Sequence, residues 1–219
     1  MTNINKKKNN KKKIVALVCM SFDKMAGGIE RQIIRTTIEL NRFGFDTLLI
    51  SFDNEDAESF FNIPTDINWI KCGFGLKPFG YASKIERIRQ IMKLRKVITR
   101  NKITDIITFH HGIYPRILFA SCFLNVNNVV SERNSLANYK YIKLSKFNLG
   151  FMSLFFAKKI TVQLEQYKKD YPILLQNKIS VVPNFIKKPM RYYEEPKFNS
   201  LVVSMLGRLS YQKNFELFL

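Results

Sequence analysis

The segment IVALVCMSFDKMAGGIERQIIRTTIELNRFGFDTLLISF, residues 14–52, decides the fold of this chain. It opens with an apolar, β-branched run at Ile14–Phe22, which predicts a buried strand. The amphipathic stretch Ile29–Arg42 predicts a helix, and Thr47–Phe52 predicts a second strand. A strand, a helix and a strand in this order are typical of two parallel strands joined by a crossover helix.

The same alternation continues along the chain. Further strands are expected at Ile67–Cys72, Asp105–Phe109, Asn128–Ser131, Lys159–Gln163 and Ile179–Val182. Further helices are expected at Ser83–Arg100, Tyr114–Leu124 and Glu165–Gln176. In the first of these helices Ser83 suits the N-cap, and Ile85, Ile88 and Met92 recur at helical spacing ahead of Val97 and Ile98. Near-continuous apolar strands between helices predict an α/β fold, a Rossmann-like doubly wound parallel sheet covered on both faces.

Composition is globular but strongly basic. Lys and Arg number 36 against 17 Asp and Glu, a net charge of +19, and the six lysines of the polar tail 1–13 leave +13 when they are removed. The tail is expected to be disordered. A basic surface attracts phosphate, whether in nucleic acid, anionic lipid or a diphosphate substrate, and composition does not choose among these.

Two compositional features bear on the cell compartment. The three cysteines, Cys19, Cys72 and Cys122, lie far apart among apolar neighbours, which predicts buried free thiols and a reducing cytoplasm. No run reaches the roughly 18 apolar residues of a spanning helix.

Two motifs follow predicted strands, where doubly wound folds bind ligands. Gly27-Gly28 precedes the first helix and allows close approach of an anion, or is a plain turn. His110-His111-Gly112 follows the strand Asp105–Phe109, and its imidazoles suit hydrogen bonding or proton handling, or one of them is a structural histidine of the strand-end loop. A metal site is not expected, because adjacent strand residues point to opposite faces and no Cys or carboxylate cluster accompanies them.

A third motif, Ser131-Glu132-Arg133-Asn134, follows the next strand. Arg133 suits bidentate binding of a phosphate. Glu132 either accepts from a ligand hydroxyl or pairs with Arg133.

Basic residues alternate with apolar and aromatic ones in Ser83–Arg100 and Lys140–Lys159. One interpretation is docking on an anionic membrane face. Nucleic-acid binding by charge and stacking is a weaker alternative, because no nucleic-acid-binding motif is visible. The third interpretation is that these residues form a solvent-exposed helix face.

The end of the chain repeats the strand–loop–helix theme. The run Leu201–Leu206 predicts a strand, and the loop after it carries Arg208 and Lys213 beside a new helix. Both side chains can point at one anion beside the helix N-terminus.

Five motifs in order resemble those of family 4 glycosyltransferases of the GT-B fold. They are Gly-Gly-x-Glu at 27–30, a strand followed by His110, Ser-Glu-Arg-Asn at 131–134, Val-Pro-Asn at 182–184, and Gly-Arg-Leu…Lys-Asn at 207–214. The resemblance implies an acceptor-side domain at 14–185, a linker at 186–199 and the start of a donor-binding domain at 200–219.

The resemblance also implies an activity: retaining transfer of a sugar from a nucleotide sugar to a glycan or polyprenyl-diphosphate-linked acceptor at the inner membrane face. No cofactor or metal is implied. Gly27 and Gly28 would lie by the donor phosphates. His110, His111, Glu132, Arg133 and Asn134 would line the acceptor side, and Arg208 and Lys213 would be catalytic.

The family's donor-binding domain is longer than 200–219, so a gene fragment or truncated frame with little activity is expected, or else half of a split enzyme. A different class of function is a non-catalytic basic module that docks on anionic lipid or lipid-linked glycan.

Overall fold

The computed structural model describes residues 13–73, 82–139 and 148–185. Within them lies one parallel sheet of order β3-β2-β1-β4-β5-β6-β7. The strands are β1 Ile14–Val18, β2 Asp46–Ser51, β3 Asn68–Lys71, β4 Asp105–Phe109, β5 Asn127–Ser131, β6 Lys159–Val162 and β7 Ile179–Val181. Each matches a predicted strand, so the parallel α/β prediction is confirmed.

Helices connect these strands. They are α1 Gly28–Arg42, α2 Lys84–Arg100, α3 Tyr114–Ser121, α4 Leu149–Ser153, α5 Glu165–Lys168 and α6 Ile173–Gln176. Short 3₁₀ turns occur at Leu136–Asn138 and Leu154–Phe156. From β1 the chain winds outward to β3, and α2 then returns it to β4 on the other side of β1. The strand order therefore reverses between β1 and β4.

Two apolar layers cover the sheet, as its doubly wound topology requires. Strand alternation sends Leu17 of β1 to one face, where it packs with Ile33 of α1. The neighbouring Val18 faces the other layer, with Leu94 of α2 and Ile117 of α3. No helix in the described ranges is long and apolar enough to cross a membrane.

The predicted helix Glu165–Gln176 is instead two short helices, α5 and α6. Pro172 explains the break, because it disfavours a helical conformation at the preceding residue. That residue, Tyr171, turns into the core. The prediction that all three thiols are buried is wrong for Cys122, which is exposed after α3.

Helix α2 begins where the sequence predicts. The Ser83 hydroxyl accepts from the Glu86 N–H while the Glu86 carboxylate accepts from the Ser83 N–H, a complete capping box. The apolar residues of α2 lie on two different faces of the helix. Leu94 and Ile98 are buried, whereas Ile85, Ile88 and Met92 are exposed. Helical period alone does not say which of two apolar stripes meets the sheet.

The linker and donor-domain predictions for residues 186–219 lie outside the described residues, as do those for the tail up to residue 12.

We expect Gly73→Ala to destabilise the domain. The Gly73 N–H donates to the Asp53 carbonyl at 2.7 Å, and a Cβ at Gly73 would lie 2.5 Å from that oxygen. Because the obstacle is backbone, we expect a loss of about 1–3 kcal/mol in the free energy of unfolding, measured with urea. Gly28→Ala is the control, since its Cβ meets nothing within 4 Å. Equal stability of the two variants would contradict the close approach.

Candidate functional site

The site lies where the carboxyl ends of β1, β4 and β5 meet. Parallel strands bring their carboxyl ends to one edge, and ligands bind in such sheets where the strand order reverses. The His110 N–H donates to the Ser131 carbonyl at 3.1 Å, and the Glu132 N–H to the Thr161 carbonyl at 2.8 Å. The two polar motifs after β4 and β5 are therefore neighbours.

Gly27 and Gly28 lie at the N-terminus of α1, in the loop that follows β1. Gly27 is the N-cap with a φ of −86°, so its conformation does not require glycine. The Glu30 carboxylate folds back against Gly27, whereas nothing lies near a Cβ built at Gly28. The Glu30 carboxylate therefore fills the space beside Gly27, and Gly28 is the position that leaves room at the helix N-terminus.

Asp53 supports this loop from the end of β2. Its buried carboxylate accepts from the Phe22 N–H at 2.7 Å and from the Ser21 hydroxyl. It fixes the chain as it leaves β1. Sequence analysis missed Asp53, because its partners lie about thirty residues away and form no local motif.

His110 has an unusual backbone. Its φ of 89° lies in a region that non-glycine residues rarely adopt, and such strain is concentrated at functional sites. Its Nδ1 accepts from the Gly112 N–H at 2.8 Å. The neutral ring therefore carries its proton on Nε2, leaving that atom as a hydrogen-bond donor. Burial lowers the pKa of His110, which favours this neutral form.

His111 and Glu132 form a buried pair beneath His110. The Glu132 Oε1 atom accepts from the His111 backbone N–H at 2.5 Å and lies 3.0 Å from its Nδ1. Both side chains are fully buried. A Cβ at Gly150 of α4 would lie 3.2 Å from the His111 ring, so a small residue there lets α4 cover the pair.

Tyr139 completes an aromatic cluster with both histidines. The imidazoles stack with centroids 4.4 Å apart, and the Tyr139 ring meets them edge-on at 5.2 and 4.9 Å. The Asn134 amide donates to the Tyr139 hydroxyl at 3.4 Å. Sequence analysis missed Tyr139, because no local motif signals this contact.

Arg133 points away from Glu132. Its Nη1 donates to the Asn184 side chain at 2.9 Å, and its guanidinium lies 5.1 Å from the centroid of the Phe109 ring. Gln163 also donates to Asn184, at 3.2 Å. Burial lowers the pKa of Arg133. The predicted alternative of a Glu132–Arg133 pair is wrong: the carboxylate binds His111.

The structure thus brings most predicted site residues to one edge. His110, Arg133 and Asn134 are partly accessible, whereas His111 and Glu132 are buried beneath them. A direct acceptor contact by His111 or Glu132 does not fit this burial, so these two position their neighbours. Arg208 and Lys213 lie outside the described residues.

Solved structures share this fold at low sequence identity. The lipopolysaccharide outer core galactosyltransferase WaaB matches with a TM-score of 0.62 at 13% identity, over 86% of this chain and 50% of that one. MurG from Acinetobacter baumannii matches with a TM-score of 0.55 at 13% identity, over 81% of this chain and 47% of that one. UDP-GlcNAc 2-epimerase from Methanocaldococcus jannaschii matches with a TM-score of 0.52 at 14% identity, over 78% of this chain and 45% of that one.

These matches define the class of fold. The chain has the Rossmann-like architecture of the N-terminal domain of GT-B proteins and spans about half the length of the three structures. Neither a family model nor a curated protein matches the sequence. Because the fold is shared with an epimerase, the reaction has to be inferred from the site.

We expect His110 to titrate below 6.5, because burial penalises its charged form. The Glu132 carboxylate opposes this effect, so Glu132→Gln should lower the pKa of His110 further. The chain has two histidines, and NMR titration of their ring signals, assigned with His110→Asn, measures both. Asp105→Asn, at the far end of β4, is the control and should leave the value unchanged.

The same shift has a consequence for stability. The unfolded chain binds the His110 proton more tightly than the folded one, so this group has no effect on stability well above pH 6.5. Its contribution destabilises the fold as pH falls from the unfolded to the folded pKa. A His110 pKa above 6.5 would contradict the buried neutral ring.

Proposed function

We propose that this chain supplies the acceptor-side domain of a retaining glycosyltransferase of the family 4 type, which transfers a sugar from a nucleotide sugar to a glycan or polyprenyl-diphosphate-linked acceptor. The observation that carries the proposal is the state of His110. This residue has a strained backbone and lies where the strand order reverses, and its Nε2–H is available as a donor. The GT-B fold of the neighbours supports it.

In this proposal His110 orients substrate by a neutral hydrogen bond. An Nε2–H on an uncharged ring binds a sugar hydroxyl without adding charge beside an anionic donor. The His111–Glu132 pair below keeps the backbone and the stacked rings in position. Tyr139 closes one side of the two imidazoles. These residues would bind and orient substrate, and none needs to carry the transferred sugar.

Arg133 is the proposed ligand for an acceptor phosphate. Asn184 and the Phe109 ring hold its guanidinium, which lowers the entropy lost when an anion binds. A guanidinium remains charged at neutral pH and suits bidentate phosphate contacts. The proposal therefore assigns Arg133 to the diphosphate of a lipid-linked acceptor.

On the donor side, the proposal assigns the nucleotide diphosphate to the loop of Gly27 and Gly28, with Gly28 as the open position. The N-terminus of α1 offers unpaired N–H groups and a favourable dipole. The open space at Gly28 is consistent with close approach of a phosphate. Arg208 and Lys213 are proposed to stabilise the leaving nucleoside diphosphate, and no metal ion is invoked.

A binding experiment on the full chain tests the acceptor assignment. The probe is farnesyl diphosphate carrying one hexose, with binding followed by calorimetry and the histidine ring signals. We expect the His110 signal to shift. Arg133→Ala should weaken binding roughly 10–100-fold, the value of a charge-assisted hydrogen bond. Arg42→Ala, an exposed arginine at the end of α1, is the matched control.

The outcomes separate the alternatives. Equal affinity of Arg133→Ala and Arg42→Ala would overturn the role of Arg133. Conversion of UDP-GlcNAc by the full chain without any acceptor would instead indicate an epimerase. An unchanged circular dichroism spectrum is required of each variant, because Arg133 also packs on Phe109.

A further inference from the structure

Helix α2 carries an apolar stripe that faces solvent. Ile85, Ile88 and Met92 recur at intervals of three and four residues, the spacing of one helical face. Their exposed fractions are 65%, 57% and 57%. We call these three residues the α2 stripe. Large apolar side chains at this exposure are unusual when they occur together rather than singly.

The stripe is exposed although α2 is firmly anchored in the fold. The opposite face of α2 is buried through Leu94 and Ile98, which pack in the core with α3. The capping box at Ser83 fixes the first turn. Rotating α2 to bury the stripe would expose Leu94 and Ile98, so the stripe faces outward in the folded domain.

Cations border the stripe on both sides. The helix contains seven Lys or Arg residues and one acid, Glu86. At 100° per residue, Arg89 and Lys96 fall on one flank of the stripe, and Lys84 and Arg95 on the other. Arg89, Lys96 and Lys84 are exposed. An apolar centre with cationic edges is the pattern of a helix that lies in a membrane interface.

The end of α3 extends this surface. Arg95 donates to the carbonyl oxygens of Ala120 at 3.1 Å and Cys122 at 2.8 Å, which fixes the end of α3 beside α2. Two exposed aromatics flank these carbonyls, Phe119 at 55% and Phe123 at 99% exposure. Phenylalanine on this rim adds apolar area where the helices meet.

We propose that the α2 stripe, with Phe119 and Phe123, docks on an anionic lipid bilayer. The helix lies in the plane of the surface, its apolar side chains enter the boundary between headgroups and acyl chains, and its cations bind lipid phosphates. Long Lys and Arg side chains can reach the headgroups while their stems cover apolar surface.

The combination of charges and apolar residues favours lipid over other occupants. Nucleic acid would use the cations but would leave Ile85, Ile88 and Met92 against water. A protein partner would bury the stripe without needing a one-sided charge, and a second copy of this helix would bring cations against cations. The proposal does not depend on the proposed transfer reaction, because lipid binding needs neither donor nor acceptor.

Co-sedimentation of the full chain with vesicles tests it. We expect binding to vesicles of phosphatidylglycerol and phosphatidylcholine in equal parts, weak binding to phosphatidylcholine alone, and loss of affinity at high salt. The triple variant Ile85→Ser, Ile88→Ser, Met92→Ser should lower the partition coefficient on the order of 100-fold. Arg89→Gln and Lys96→Gln should each lower it about fivefold.

The matched control is Ile173→Ser with Leu174→Ser on α6, two apolar residues outside the α2 stripe at 80% and 77% exposure. It should bind vesicles like the unaltered chain. All variants retain the lysines of residues 6–13, so a difference between them reports the stripe and not the tail. Because the altered side chains are exposed, unfolding curves should be unchanged.

Three results would overturn the proposal. One is binding of the triple variant to anionic vesicles as tightly as that of the unaltered chain. Another is absence of vesicle binding by the unaltered chain; if that chain then sediments as a dimer that the triple variant does not form, the stripe belongs to a second copy. Equal loss in the α6 control would show a non-specific effect of removing apolar surface.

Discussion

The buried Glu132 carboxylate is the constraint on which the site depends. A carboxylate removed from water is costly unless its charge is paired and its oxygens are hydrogen-bonded. Here Oε1 accepts from both the backbone N–H and the ring of His111, whereas Oε2 is buried with no hydrogen-bond partner among the described residues. This pair ties the turn after β4 to the turn after β5. The fixed turn holds His110 in its strained conformation, since the next residue is anchored on both its backbone and its ring.

Different parts of the domain around that pair are suited to different functions. Above it, His110 and Arg133 are held but partly accessible, which suits groups that meet a ligand. Beside it, Gly28 leaves room at the N-terminus of α1. On the helical layer, α2 buries one apolar face and exposes another among cations. Binding of a lipid surface and of a lipid-linked acceptor would be compatible on one domain, because they use different residues.

The fold alone leaves the reaction open. Glycosyltransferases and an epimerase share it at identities of 13–14%, so resemblance of backbone says where ligands bind and not what becomes of them. The inference of sugar transfer rests on named groups with defined chemistry: a neutral imidazole donor, a held guanidinium and an open helix N-terminus.

Local pattern in the sequence determined the strands, the order of strand and helix, the Ser83 cap and the polar motifs at strand ends, because periodicity and capping act over a few residues. Tertiary structure decided the rest. Glu132 pairs with His111 across 21 residues and Arg133 meets Asn184 across 51, so their partners are invisible to local spacing. Only packing against the sheet chose which apolar stripe of α2 is buried, since both have the same helical period.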